Sequence, residues 1–282
     1  GALDRRVIDA AQLNHPILIV EKDGENYSID PTSEALRSDE ISWRCQGVKG
    51  VRINPESRTF DFITMPVMSC LNNVISRLDS IVVDRDGNIK GKASITISGQ
   101  PLYAMYINAG KKEFDVSDDV IKNYLEEEFP VTFNLSDTSL KFLGKDTLRL
   151  KVDYSSDGIF QVAGSMINMD FSSWLYFPSR SVFDSDSRKY DILFRYPEVV
   201  KNSLVVKLPD GYSLYENVRE ISTRNDYFMY ERRCEQDGDN LRFRRELRVL
   251  ERRIPVSDYT KAKAFTNEMI SYDRENVVIK RT

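Results

Sequence analysis

Histidine is almost absent from this chain, cysteine is scarce, and no apolar run is long. The 282 residues hold one histidine, His15, and three cysteines, Cys45, Cys70 and Cys234. An imidazole acid or base therefore has a single candidate. No two cysteines are spaced as Cys-x-x-Cys, which argues against a zinc site built from local Cys/His pairs. An odd count leaves at most one internal disulfide, so the fold does not rest on a disulfide framework. No metal site and no cofactor motif is expected. The longest apolar stretches, such as Pro16 to Val20, run to five or six residues, whereas a membrane helix needs roughly 20, so no transmembrane segment is expected. Lys plus Arg is 40 and Asp plus Glu is 44, a net charge of −4 with both signs mixed and no basic block. That balance excludes nucleic acid as the expected partner. The chain opens Gly1-Ala2-Leu3-Asp4, without Met and without an apolar signal region, and reads as a segment of something longer.

What is present suits a β-rich domain. The chain is 41% hydrophobic, enough for a sizeable core. After residue 50, short runs of Val, Ile, Phe, Tyr and Thr alternate with Gly, Asn and Asp, the pattern of strands and turns. Ser80 to Val83, Asp84-Arg85-Asp86-Gly87 and Ile89 to Ile97 read as a hairpin. Leu148 to Ala163 around Ser155-Ser156-Asp157-Gly158 repeats the pattern, as does Asn202 to Tyr212 around Pro209-Asp210-Gly211. Strands that succeed one another through turns predict a mainly β fold, an antiparallel sandwich of plain or jelly-roll type with few helices. Helical segments are expected at Met68 to Arg77, at residues 117–128 behind Ser117-Asp118-Asp119, and after Ser257. In the last, Tyr259, Ala262, Phe265 and Met269 recur at helical spacing. Asn276 to Lys280 reads as a closing strand.

One segment carries chemistry. Asn14-His15-Pro16-Ile17-Leu18-Ile19-Val20 and Asn26-Tyr27-Ser28-Ile29-Asp30-Pro31-Thr32 flank Asp23-Gly24. With Asp-Gly as a two-residue loop, Lys22 pairs with Glu25, Ile17 faces Asp30 and His15 faces Thr32. Side chains alternate along a strand, so His15 and Asp30 become diagonal neighbours on one face, roughly 7 Å apart at the backbone. A carboxylate that holds an imidazole in one tautomer is what a thiol or hydroxyl nucleophile requires of its third member.

These residues resemble the His and Asp portion of transglutaminase-like, papain-type cysteine enzymes. Ile41-Ser42-Trp43-Arg44-Cys45-Gln46-Gly47 extends the likeness to bacterial multidomain proteins with an N-terminal β-sandwich, a transglutaminase-like core and a C-terminal β-rich domain of unknown function. Leu208-Pro209-Asp210-Gly211-Tyr212, Tyr259, Phe265 and Val277-Val278-Ile279-Lys280 are similar to that last domain. The resemblance implies that residues 1–48 are the remnant of an α+β core and residues 49–282 an accessory β-sandwich. It implies acyl transfer at Gln or other amides, with His15 shuttling a proton and Asp30 orienting the ring. It also implies a nucleophilic Cys at a helix start upstream of the His, which this chain lacks, so the chain is expected to be inactive alone. The expected partners are the upstream domains of the parent protein, and the implied location is exported or periplasmic.

Other features have blander readings beside them. Cys45 follows the Asp instead of preceding the His and reads as a packing residue, as do Cys70 and Cys234. Phe171, Trp174, Tyr176, Phe177, Phe183, Tyr190, Phe194 and Tyr196 could present rings to a glycan, which would make the chain a non-catalytic glycan- or protein-binding module of the cell envelope. Core packing explains them more simply. Leu241 to Arg253 carries six arginines and reads as a solvated strand face paired to acidic neighbours.

Overall fold

The computed structural model describes residues 13–32, 36–37, 40–108, 124, 133–144, 146–177 and 180–282. β1 (Leu18–Lys22) and β2 (Glu25–Ile29) form one hairpin, and β3 (Lys49–Asn54) and β4 (Thr59–Thr64) another. There follow β5 (Val74–Val83), β6 (Ile89–Ser98), helix α1 (Gln100–Asn108), β7 (Asn134–Phe142), β8 (Thr147–Ser156), β9 (Gln161–Ala163) and β10 (Met166–Met169). Then come β11 (Ile192–Leu193), β12 (Glu198–Lys207), β13 (Tyr212–Leu214), β14 (Ile221–Arg224), β15 (Phe228–Asp237), β16 (Asn240–Val249) and β17 (Arg253–Ile254). Helix α2 (Tyr259–Asp273) and β18 (Val277–Arg281) close the chain.

An eight-stranded sheet in the order β14-β15-β16-β12-β5-β6-β8-β7 dominates, and a separate four-stranded sheet has the order β13-β18-β10-β9. Period-two burial builds the large sheet. Ile89, Ala93, Ile95 and Ile97 of β6 and Leu148, Leu150 and Val152 of β8 are buried, while Lys90, Lys92 and Lys151 point the other way. Against the buried face sit Ile167, Met169, Val277 and Ile279 of the small sheet, together with Phe160, Phe171 and Trp174. A second apolar cluster joins Phe228, Tyr230, Leu247 and Val249 to the α2 stripe Tyr259, Ala262, Phe265 and Met269. Each large apolar side chain so buried contributes about 1.5–3 kcal/mol.

Polar side chains run along the same buried face. Arg77 Nε donates to Asp79 Oδ2 at 2.9 Å, Tyr154 donates to Asp79 Oδ1 at 2.7 Å, and Trp174 Nε1 donates to the Tyr154 oxygen at 2.9 Å. Asn202 Nδ2 donates to the Trp174 carbonyl, Arg245 to Asn202 and to Asp273, and Tyr230 to Asp273. The Tyr154 ring needs Gly91, its partner across β6 and β8: a Cβ there would stand 2.4 Å from the ring. At Gly87, whose φ is +78°, a Cβ would stand 2.2 Å from the Phe160 carbonyl oxygen.

The expected mainly β fold is what is found. Strand residues exceed helical ones more than twofold among the described residues, and no barrel closes. Several details differ. The large sheet is mixed, not wholly antiparallel: β5 and β12 run parallel, Val74 opposite Val199 through Val82 opposite Lys207. All of β6 to β11 intervenes between them, so no hairpin dictates their direction. Of the three hairpins expected after residue 50 only β5–β6 forms. At Ser155 to Gly158 and at Pro209 to Gly211 the chain instead leaves the large sheet for the small one, and β8 (between β6 and β7) and β12 (between β5 and β16) both end as interior strands. Met68 to Arg77 is not a helix but a single 3₁₀ turn at Cys70–Asn72 followed by β5. Arg77 and Asp79 are two of its inward residues, and their polarity hides the alternation. Arg245 likewise belongs to the buried face, at 2% exposure, whereas Arg242 pairs with Asp237, Arg248 with Glu246 and Arg253 with Asp191 in the expected manner. The expected helix at residues 117–128 lies outside the described residues apart from Tyr124. The last helix starts after a 3₁₀ turn at Val256–Asp258, with Asp258 at its N-cap in place of Ser257. The carboxylate of Asp258 accepts from the Tyr227 hydroxyl. Helix α1 was not expected, its Leu, Tyr, Met and Ile reading as well for a strand.

Candidate functional site

The β1–β2 hairpin turns on Asp23 and Gly24, both at positive φ, 55° and 79°, the geometry that matches the twist of paired strands. Lys22 faces Glu25 and Leu18 faces Ile29, the expected register. Beyond the ladder's open end, His15 Nε2 and Asp30 Oδ2 lie 3.0 Å apart. Asp30 is buried, its side chain 2% exposed, against 31% for that of His15. The second oxygen of Asp30 is occupied: Thr32 donates to Oδ1 from its backbone N–H at 3.1 Å and from Oγ1 at 2.7 Å. Burial alone would push the Asp30 carboxyl up. The bonds from Thr32 and His15 outweigh it and hold the group below the ordinary carboxylate range.

The pair opens on a cavity of about 300 Å³. Asn14, His15, Asp30 and Thr32 line it from the hairpin, Ser42, Arg44 and Cys45 from the loop that follows, and Tyr103 from α1. The loop is held by buried amides. Gln46 and Gln100 side chains both donate to the Ile41 carbonyl, at 3.0 and 3.1 Å, and Gln100 Oε1 accepts from the Trp43 N–H at 2.7 Å. Gln46 Oε1 accepts from the Met68 N–H, and Arg252 donates to the Gln46 carbonyl. Arg44 and Arg195 guanidinium groups lie 5.4 and 5.6 Å from the Trp43 ring centroid.

This arrangement brings Cys45 beside the pair, where its reading as a packing residue did not put it. One donor atom each from His15, Asp30 and Cys45 lie within 4.8 Å of one another. Sequence order argued against Cys45 because it counts position along the chain, whereas the loop of residues 40–48 folds back over the hairpin end. No hydrogen bond joins the Cys45 thiol to the imidazole. Burial, then the Asp30 charge, push the thiol up, against the opposing pull of Arg252 and Arg44. Thr32, Arg44, Gln46, Gln100 and Tyr103 were not singled out from sequence. Only Thr32 carried a local signal, a hydroxyl two residues after an Asp that closes a turn.

Other candidates do not converge here. Cys70 and Cys234 are buried and unlinked, and burial pushes the Cys234 thiol up to about 12. Phe171, Trp174, Phe183 and Phe194 are buried and Phe177 and Tyr196 half-buried, so they pack the core; Tyr190 and Tyr176 are exposed.

Residues 167–279 match the family model DUF3858, described as a domain of unknown function with a solved structure. No curated protein matches the chain. A solved structure from Parabacteroides distasonis, described as "a putative protease", aligns at a TM-score of 0.36 and 10% identity, over 43% of this chain and 24% of that one. A likeness of that extent does not define a shared fold.

Proposed function

We propose that this chain supplies the histidine and aspartate of a cysteine-dependent acyl-transfer site of transglutaminase-like type, the thiolate coming from a cysteine outside this sequence. The observation that carries the reading is the 3.0 Å contact of His15 with an aspartate whose other oxygen is locked by Thr32. An ionised carboxylate only accepts, so the imidazole proton sits on Nε2 and leaves the Nδ1 lone pair as the base. Nδ1 takes the proton of the incoming thiol, and Asp30 stabilises the imidazolium so formed. The thiolate attacks the amide carbonyl, the imidazolium returns the proton to the departing amine, and a thioester remains for water or a second amine to resolve.

On this reading residues 1–48 belong to the catalytic core and residues 49–282 form its accessory β layer, with Gln46, Gln100 and Arg252 fastening one to the other. On this reading Cys45 is not the nucleophile: no hydrogen bond joins its thiol to the imidazole, and burial and the Asp30 charge push the thiol up. The test measures ammonia release and amine incorporation with a glutamine-containing peptide. The present chain is expected to show neither, and a chain extended by its native upstream sequence to show activity that His15→Ala removes. Turnover by the present chain that Cys45→Ser abolishes would overturn the reading.

A further inference from the structure

We propose that His15, Asp30 and Cys45 form a binding site for one divalent transition-metal cation of the zinc class. Their three donor atoms, an imidazole nitrogen, a carboxylate oxygen and a sulfur, lie within 4.8 Å of one another. Zinc bonds of about 2.0–2.3 Å in a tetrahedron span donor pairs of roughly 3.3–3.7 Å. His15 Nε2 and Asp30 Oδ2 already stand 3.0 Å apart, and no pair of the three donors exceeds 4.8 Å. Spacing along the sequence conceals this site because the ligands come from three segments, before β1, after β2, and in the loop carrying Cys45.

The donor chemistry selects the cation. Imidazole with thiolate favours zinc or cobalt over magnesium or calcium, which take oxygen donors. An outer shell is also in place: Thr32 holds the Asp30 oxygen that faces away from His15, orienting the carboxylate while leaving its other oxygen available. The buried Gln46 and Gln100 amides fix the loop that carries Cys45. On coordination the Cys45 thiol gives its proton to solvent and the cation takes its place. Three protein ligands leave a fourth position for water.

Binding stands independently of the acyl-transfer reading; its consequence rests on that reading. An occupied site engages the imidazole and the carboxylate needed for proton transfer, so the cation inhibits the reaction.

The chain, stripped with a chelator, is titrated with Co²⁺ and with Zn²⁺. One equivalent of Co²⁺ is expected to produce a thiolate-to-cobalt charge-transfer band, displaced by one equivalent of Zn²⁺. Cys45→Ser is expected to abolish the band, and Asp30→Asn to weaken zinc binding about tenfold or more, with circular dichroism reporting the fold of each variant. His15 is the only histidine, so its imidazole NMR signals report on native protein without any substitution and are expected to shift with one equivalent of Zn²⁺. Unmoved His15 signals, or a band that survives Cys45→Ser, overturn the site. Failure to bind metal leaves the acyl-transfer reading to be judged by His15→Ala in the extended chain. Metal binding in an extended chain that performs no acyl transfer keeps the site and removes its inhibitory role.

Discussion

Asp30 and Asp79 are both buried and both hydrogen-bonded through each carboxylate oxygen, yet they sit in regions that differ in every other respect. Asp79 lies inside the sheet core, bound by the guanidinium of Arg77 and the hydroxyl of Tyr154, with side chains of 0% and 3% exposure for Asp79 and Arg77. Arginine keeps its charge at any ordinary pH. Burial, with the Asp79 charge, pushes the Tyr154 hydroxyl well above its usual range, so it remains a donor. Asp30 is bound by a threonine and by an imidazole, a ring that carries both a donor and an acceptor nitrogen, and that imidazole borders an open cavity. Burial of a carboxylate is thus compatible with a structural role and, on the proposed function, with a chemical one. What separates them is whether the partner can release a proton and whether a reactant has room to take it.

The sharpest break in this comparison is kinetic. In an upstream-extended chain that carries the nucleophile, His15→Ala is expected to lower acyl transfer by about 10²–10⁴-fold, while urea denaturation shows a change of about 1 kcal/mol or less. An equal loss of stability and activity would place His15 with Asp79 as a structural group. The converse substitution, Asp79→Ala, removes the carboxylate to which the buried Arg77 guanidinium donates twice and is expected to cost about 3–5 kcal/mol of unfolding free energy. Tyr154→Phe removes one donor from Asp79 and the acceptor of Trp174 Nε1, and is expected to cost about 1–3 kcal/mol in the same measurement.

The smallest effect concerns acid. Because bonding holds the Asp30 carboxyl below its unfolded value near 3.9, the stability it contributes is fully present above that value. It is lost only as pH falls through the lower, folded value. A carboxyl ¹³C titration should therefore place Asp30 below ordinary aspartates. Thr32→Val, which removes one donor worth about 0.5–1.5 kcal/mol, should move the midpoint upward. A midpoint unmoved by Thr32→Val would mean that His15 alone sets the charge of Asp30.

What the sequence determined by itself is local. A two-residue Asp-Gly turn leaves one register for the strands it joins, and that register placed His15 near Asp30 before any tertiary contact was known. The α2 stripe of Tyr259, Ala262, Phe265 and Met269 was legible for the same reason, since a period of three to four residues survives within one helix. What tertiary structure decided depends on partners distant along the chain. The parallel pairing of β5 with β12 follows from which sheet edges remain open once hairpins have formed. The inward turn of Arg77, Asp79 and Arg245 breaks the polar–apolar alternation that sequence reading relies on, and their pairing with one another and with Tyr154, Asn202 and Asp273 offsets the cost of their burial. Cys45 reaches His15 and Asp30 because the Gln46 and Gln100 amides and Arg252 fold its loop back over the hairpin, bonds that join residues up to 206 positions apart. No spacing rule within a segment contains that information, because the energy that places Cys45 resides in contacts between segments.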